Sequence, residues 1–137
     1  MQKVIDASAV LAFLYNERGA DQVRPHLPKG KISAVNAAEV LTVLIRNGVP
    51  PLSAAQAVQK TGLDVVDFSW DAAWQTTCLL TPEARDRGIS LGDRACLALA
   101  ISEKLPLITA DRNWAGLEVV LPDGSRNPLP VVLEFIR

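Results

Sequence analysis

The chain has 137 residues, of which 49% are hydrophobic, and a formal net charge of −1. That length suits one domain able to bury roughly two-thirds of its unfolded surface, and the apolar content excludes a disordered chain. The near-neutral balance excludes a protein that holds nucleic acid by bulk positive charge. An acidic site offsetting a local basic surface remains compatible with it.

In chain order, Val4-Ile5 reads as a short strand ending at Asp6, followed by a helix carrying Val10, Leu11, Phe13 and Leu14. Gly19–Leu27 suits a second short helix, and Lys31–Val35 a strand. Asn36 is then expected to open a strongly apolar helix that runs to Arg46 and stops at Asn47-Gly48, since glycine commonly follows the last helical turn. Ser53 is expected to cap a helix to about Lys60, ended by Gly62. Asp64–Phe68 is read as a third strand and the stretch from Asp71 as a helix that Pro82 breaks. Ser90 should start a helix from Leu91 to Lys104. Leu107-Ile108-Thr109 is a fourth strand, and Glu118–Leu121 and Val131–Leu133 are the final ones. Pro122–Pro130 reads as a loop. Strands alternating with helices predict a three-layer α/β/α domain over residues 1–137 with a mostly parallel central sheet.

Cys78 and Cys96 both fall in apolar helical patterns and are expected to be buried free thiols of a reducing, cytoplasmic environment rather than a disulfide framework. The first residues carry no apolar stretch of the kind that marks a signal peptide. No apolar run reaches the roughly 20 residues that span a bilayer. Trp70 and Trp74 lie at helical spacing and are expected to be packing residues. Trp114 is expected to anchor its loop in the core. His26, the only histidine, precedes Pro28 at short range and is expected at the surface.

In a parallel α/β sheet, ligands bind beyond the carboxyl ends of the strands. Four acids map to that edge. Asp6 and Asp111 follow the first and fourth strands, and Glu39 and Asp93 fall in the first turns of the helices after Lys31–Val35 and Gly88. Each alone has a structural explanation. Asn36-x-x-Glu39 and Ser90-x-x-Asp93 resemble capping boxes, and Asp6 and Asp111 suit N-cap positions. Together they imply more. Two carboxylates about 4 Å apart repel by roughly 4 kcal/mol at an effective dielectric near 20. Four on one rim must take up protons or bind cations. An all-oxygen donor set suits Mg²⁺ or Mn²⁺, and no Cys/His set has zinc spacing. Ser8, Thr109, Asn36 and Asn113 are candidates to orient the acids. Arg94 and Arg112 either contact a nucleic-acid backbone or point to solvent or the carboxylates.

Val4-Ile5-Asp6-Ala7-Ser8, Asn36-Ala37-Ala38-Glu39-Val40, Leu91-Gly92-Asp93-Arg94-Ala95-Cys96-Leu97-Ala98-Leu99-Ala100 and Leu107-Ile108-Thr109-Ala110-Asp111-Arg112-Asn113-Trp114 together resemble the PIN-domain family, and more narrowly its VapC-type toxins. The resemblance covers nearly the whole chain. It implies a Mg²⁺- or Mn²⁺-dependent endoribonuclease, a cognate VapB-type antitoxin, commonly a homodimer, and RNA substrates such as transfer RNA. It places Asp6, Glu39, Asp93 and Asp111 on the family's acidic positions, with Asp6 and Asp93 foremost as metal ligands. A haloacid-dehalogenase-type phosphatase also begins with Asp after its first strand, but its second Asp is here Ser8. A receiver domain would offer Asp67 as phosphate acceptor, without paired acids beside Asp6. A non-catalytic PIN-like module that binds RNA or protein is the remaining alternative. The apolar stretches Ala37–Ile45 and Ala54–Val58 suit either core or an interface with a second copy or an antitoxin helix.

Overall fold

The computed structural model describes residues 1–137. In chain order the elements are β1 (Val4–Ile5), α1 (Ala7–Leu14), α2 (Ala20–Val23) with a 3-10 turn at Arg24–His26, β2 (Lys31–Ser33), α3 (Ala34–Arg46), α4 (Pro51–Lys60) and β3 (Asp64–Val66). They continue with α5 (Trp70–Thr77), α6 (Pro82–Asp86), α7 (Leu91–Glu103), β4 (Leu107–Thr109), a 3-10 turn at Arg112–Trp114, β5 (Glu118–Val120), β6 (Arg126–Pro128) and β7 (Leu133–Phe135).

Five strands form a parallel sheet in the order β3-β2-β1-β4-β7. β1 is central, with Val4 opposite Leu107 and Ile5 opposite Ile108. Successive residues of a strand face opposite sides, and this pair shows it. Ile5 and Ile108 enter a core with Val10 of α1, Ile32 and Val40, while Val4 and Leu107 enter a second core with Leu97 of α7 and Trp114. Helices therefore cover both faces, as the alternating pattern predicts. β5 and β6 form a separate antiparallel hairpin, so Glu118–Val120 does not extend the main sheet.

Several boundaries differ from the sequence reading, for physical reasons. The second strand ends at Ser33, whose hydroxyl accepts the Val35 N–H at 3.2 Å and caps α3. Asn36 is thus a buried helix residue and not the opening cap. α4 begins at Pro51 rather than at Ser53, because proline lacks the N–H that a first turn leaves unpaired. The supposed loop Pro122–Pro130 contains β6. The third strand stops at Val66, and the last runs from Leu133 to Phe135. Lys104 takes a left-handed cap conformation after α7 instead of continuing it.

Burial corrects three further expectations. Trp70 and Trp74 stand 75% and 60% exposed and pack edge to face on each other, with ring centroids 6.3 Å apart, so they do not fill the core. Cys78 is exposed, whereas Cys96 is buried as expected. Trp114 is fully buried and His26 half-buried in its turn. Ala37, Val40, Leu44, Ala54 and Val58 belong to the core, while Ile45 of α3 and Leu52 of α4 are exposed. No helix is long and apolar enough to cross a membrane.

Leu97 is the largest α7 side chain in the core that packs with Val4 and Leu107 of the sheet, and it is fully buried. Truncation of such a leucine leaves a cavity. Leu97→Ala is expected to lower stability by about 3 kcal/mol in urea denaturation.

Candidate active site

The carboxyl end of β1 delivers Asp6 to a position where water is nearly excluded, with 4% of its surface exposed. Its N–H joins the sheet by donating to the Ile108 carbonyl at 2.9 Å, so the backbone is fixed before the side chain is considered. One carboxylate oxygen, Oδ2, then accepts the Ser8 hydroxyl at 2.6 Å, the Thr109 hydroxyl at 3.0 Å and the Ser8 N–H at 3.4 Å. Ser8 Oγ accepts the Ala110 N–H at 3.0 Å, and Thr109 Oγ1 accepts the Asp111 N–H at 3.0 Å. The two hydroxyls therefore weld the start of α1 to the end of β4 through one carboxylate oxygen. Ser8 and Thr109 are thus the side chains that hold the Asp6 carboxylate.

The other three acids are fastened by local contacts. Asp93 Oδ2 accepts the Ser90 N–H at 2.9 Å while Ser90 Oγ accepts the Asp93 N–H at 3.1 Å, completing the capping box read from the sequence. Asp111 Oδ1 accepts the Asn113 N–H at 2.9 Å and so caps its 3-10 turn. Glu39 Oε1 accepts Asn36 Nδ2 at 2.7 Å. A common pattern emerges: in each acid one oxygen is held by the scaffold, and the second has no hydrogen bond within the protein. The structural and functional explanations of these acids are thus compatible, because capping uses only half of each carboxylate.

The charges feel one another. Burial raises the Asp6 pKa from 3.8 to about 6; the Ser8 and Thr109 hydrogen bonds oppose the rise, and Asp93 and Glu39 add to it. Asp93 is raised chiefly by burial, against its bonds to Ser90, with Asp111 adding repulsion and Arg94 relieving it. Burial pushes the Cys96 thiol well above its ordinary range, and Asp6, Asp93 and Glu39 push it further. Cys96 therefore lies beneath a region of negative potential and is held as the neutral thiol, inert as a nucleophile. No three His, Cys, Asp or Glu side chains close into a ready-made metal cage. The acids are coupled by charge: Asp6 with Asp93 and Glu39, and Asp93 with Asp111.

The remaining expectations divide. Asn36 is fully buried, and its Nδ2 donates to Glu39 and also to the Gly92 carbonyl at 3.0 Å. Asn113 contacts Asp111 only through its backbone; its side-chain amide donates to the Arg87 carbonyl at 2.7 Å. Arg94 donates to the Thr76 carbonyl at 3.3 Å, tying α7 to α5. Arg112 donates to the Arg137 carbonyl at 2.7 Å and lies over the Phe135 ring. Neither arginine pairs with a carboxylate. Two contributors escaped the sequence reading. Arg87 donates to the carbonyls of Asn113 and Ala115, bracing the loop that carries Asp111. Gly92 lies against the Glu39 carboxylate. A glycine inside the first turn of a helix was the available signal for the latter.

Residues 3–119 match the PIN domain family, and the chain belongs to that family. No curated protein sequence matches it. Among solved structures, the fold is similar to DNA-bound VapBC from Salmonella typhimurium, with a TM-score of 0.68 and 17% identity over 100% of both chains. It is similar to a toxin–antitoxin complex from Klebsiella pneumoniae, with a TM-score of 0.66 and 20% identity over 83% of this chain and 91% of that one. It also resembles VapC20 from Mycobacterium tuberculosis, a toxin that cleaves the sarcin–ricin loop, with a TM-score of 0.67 and 17% identity over 84% and 93% of the two chains. At these identities the likeness is one of fold.

The raised Asp6 pKa fixes the sign of a pH effect. The folded chain holds the Asp6 proton up to about pH 6, and the unfolded chain releases it near 3.8. Between those values the folded state binds more protons, so stability from this residue falls as pH rises from about 4 to about 6, by about 3 kcal/mol at most. In EDTA, the stability of wild type relative to Asp6→Asn is expected to decline across that window in urea unfolding. A pH-independent difference between the two proteins would contradict the assignment.

Proposed function

We propose that the chain is a Mg²⁺- or Mn²⁺-dependent endoribonuclease, the toxin of a type II pair with a VapB-type antitoxin, and that it works as a homodimer. The observation that supports this reading is that Asp6, Glu39, Asp93 and Asp111 each have one oxygen hydrogen-bonded to the scaffold and one with no hydrogen bond within the protein. Membership of the PIN domain family supports it. The toxin–antitoxin assemblies among the similar structures support the antitoxin partner, and the sarcin–ricin-cleaving toxin supports structured RNA, ribosomal or transfer, as the substrate class.

The donor set fits a hard divalent cation in chemistry and charge. Asp6 and Asp93 would hold it, with Glu39 and Asp111 completing the negative edge. Mg²⁺ commonly takes only one or two protein carboxylates and keeps several waters, so an open edge serves it better than a closed cage. A cation held there would supply an acidified water and offset charge on the phosphoryl oxygens. The protein's own part is orientation and desolvation. Ser8 and Thr109 keep Asp6 Oδ2 turned toward the sheet, leaving Oδ1 for the ligand. Ser90 does the same for Asp93 Oδ2. The apolar packing beneath the rim excludes water from Asp6 and strengthens its attraction for a cation.

Arg94 and Arg112 are engaged with backbone carbonyls, so neither is assigned a phosphate. RNA contacts are left to groups around the rim, in keeping with a net charge of −1. Hydrolysis by water leaves a 5′-phosphate and a 3′-hydroxyl.

The test is cleavage of transfer and ribosomal RNA by purified protein with Mg²⁺, Mn²⁺ or EDTA. Wild type is expected to cut only with metal, and Asp93→Asn to lose about a hundredfold or more while keeping its fold. Metal-independent cutting, or products ending in a 2′,3′-cyclic phosphate, would refute the mechanism. RNA binding without cutting, unchanged in Asp93→Asn, would favour the non-catalytic module.

A further inference from the structure

Glycine in a helix is a poor choice, disfavoured by about 1 kcal/mol relative to alanine, and Gly92 occupies the first turn of α7. Its backbone does not require glycine, since its φ lies outside the left-handed region. The reason lies across the interface with α3. A Cβ on residue 92 would meet Glu39 Oε2 most closely and would stand 2.7 Å from the Glu39 carboxyl carbon and 2.8 Å from Oε1. Both separations are shorter than a carbon can tolerate without something moving.

The Glu39 carboxylate ends a flexible side chain, but it is anchored by a hydrogen bond. Its Oε1 accepts Asn36 Nδ2 at 2.7 Å, and the same amide nitrogen donates to the Gly92 carbonyl at 3.0 Å. Asn36 is fully buried, and the orientation of its amide is dictated by these partners, because a flipped group would set oxygen against two oxygens. One nitrogen therefore clamps the Glu39 carboxylate and the backbone beside Asp93 together, joining α3 to α7. The clamp closes only because residue 92 has no side chain.

We infer that Gly92 and Asn36 are positioning residues that set the separation between the Glu39 and Asp93 carboxylates, and so tune cation binding at the rim. This rests on the metal-site reading above. A purely structural role, in which Gly92 merely lets two helices approach, makes a different prediction. In that case filling position 92 would cost stability, more with Glu39 than with Asp there, but would leave Mn²⁺ affinity unchanged. If the clamp sets the carboxylates, shortening the acid by one methylene should make room for the added methyl.

The experiment is a double-mutant cycle of wild type, Gly92→Ala, Glu39→Asp and the combined variant. It is read by calorimetric Mn²⁺ binding and by urea denaturation in EDTA. Gly92→Ala is expected to weaken Mn²⁺ binding about tenfold in the wild-type background, as other groups that orient metal ligands do. In the Glu39→Asp background it should cost less than about twofold. The urea midpoints should show the same coupling without metal. Equal costs in both backgrounds, in binding and in midpoint, or Mn²⁺ affinity unchanged by Gly92→Ala, would overturn the inference. If wild type binds no Mn²⁺ but the midpoints couple, the clamp stands and the metal reading falls. If Gly92→Ala does not fold while Glu39→Asp with Gly92→Ala does, the rescue itself supports the clamp. Asn36→Ala gives the check that adds no atom: weaker Mn²⁺ binding with retained fold is expected, and unchanged binding would count against the clamp.

Discussion

A carboxylate ends the central strand where almost no water reaches it, and much of the molecule is arranged around that fact. Asp6 cannot leave the position, because its backbone is part of the sheet and its side chain is held by Ser8 and Thr109. Moving it from water raises its pKa to about 6 despite three hydrogen bonds to one oxygen. A buried acid of this kind is held back from ionising and favours a neutralising cation. Asp93 and Glu39 add negative potential at the same place, and the Cys96 thiol beneath them registers all three. The protein keeps a strain of charge that a simpler core would avoid. Such sites commonly carry function.

The fold makes the arrangement inexpensive in structural terms. Strand ends and helix starts share one edge of a parallel sheet, so acids that cap helices arrive on the same rim without long loops. Capping consumes one oxygen of Asp93 and Asp111, and a side-chain amide consumes one of Glu39. The remaining oxygens carry no hydrogen bond within the protein, and that of Glu39 lies against Gly92. Order within the carboxylates therefore comes before any ligand, which is the condition for binding a cation without a large entropic cost.

How much of this could be read from residues alone depended on range. The Ser90–Asp93 box was legible because both partners lie in one helical turn, and α7 followed from it. Strand positions for Asp6 and Asp111 were legible from Val4-Ile5 and Leu107-Ile108-Thr109, short apolar runs ending in an acid. Asn36 was misread as a cap because its residue type suits that place, whereas its partners are Glu39 on its own helix and Gly92 on another. The true cap, Ser33, was hidden inside what looked like strand. Trp70 and Trp74 share a helix face, but spacing does not say whether that face meets core or solvent. The Pro/Gly-rich segment after Leu121 concealed β6 since its turn signals are those of a loop. Arg87, Arg94 and Arg112 reach backbone carbonyls that no local pattern marks.

The central claim, that Asp6 is a desolvated acid awaiting a cation, is tested most directly by carboxyl-carbon NMR titration of Asp6, with and without saturating Mg²⁺. The account predicts a midpoint of about 6 in EDTA, as burial requires, and a midpoint below the ordinary value of 3.8 once the ion is bound. An Asp6 that titrates at the ordinary value in EDTA and is indifferent to Mg²⁺ would contradict it.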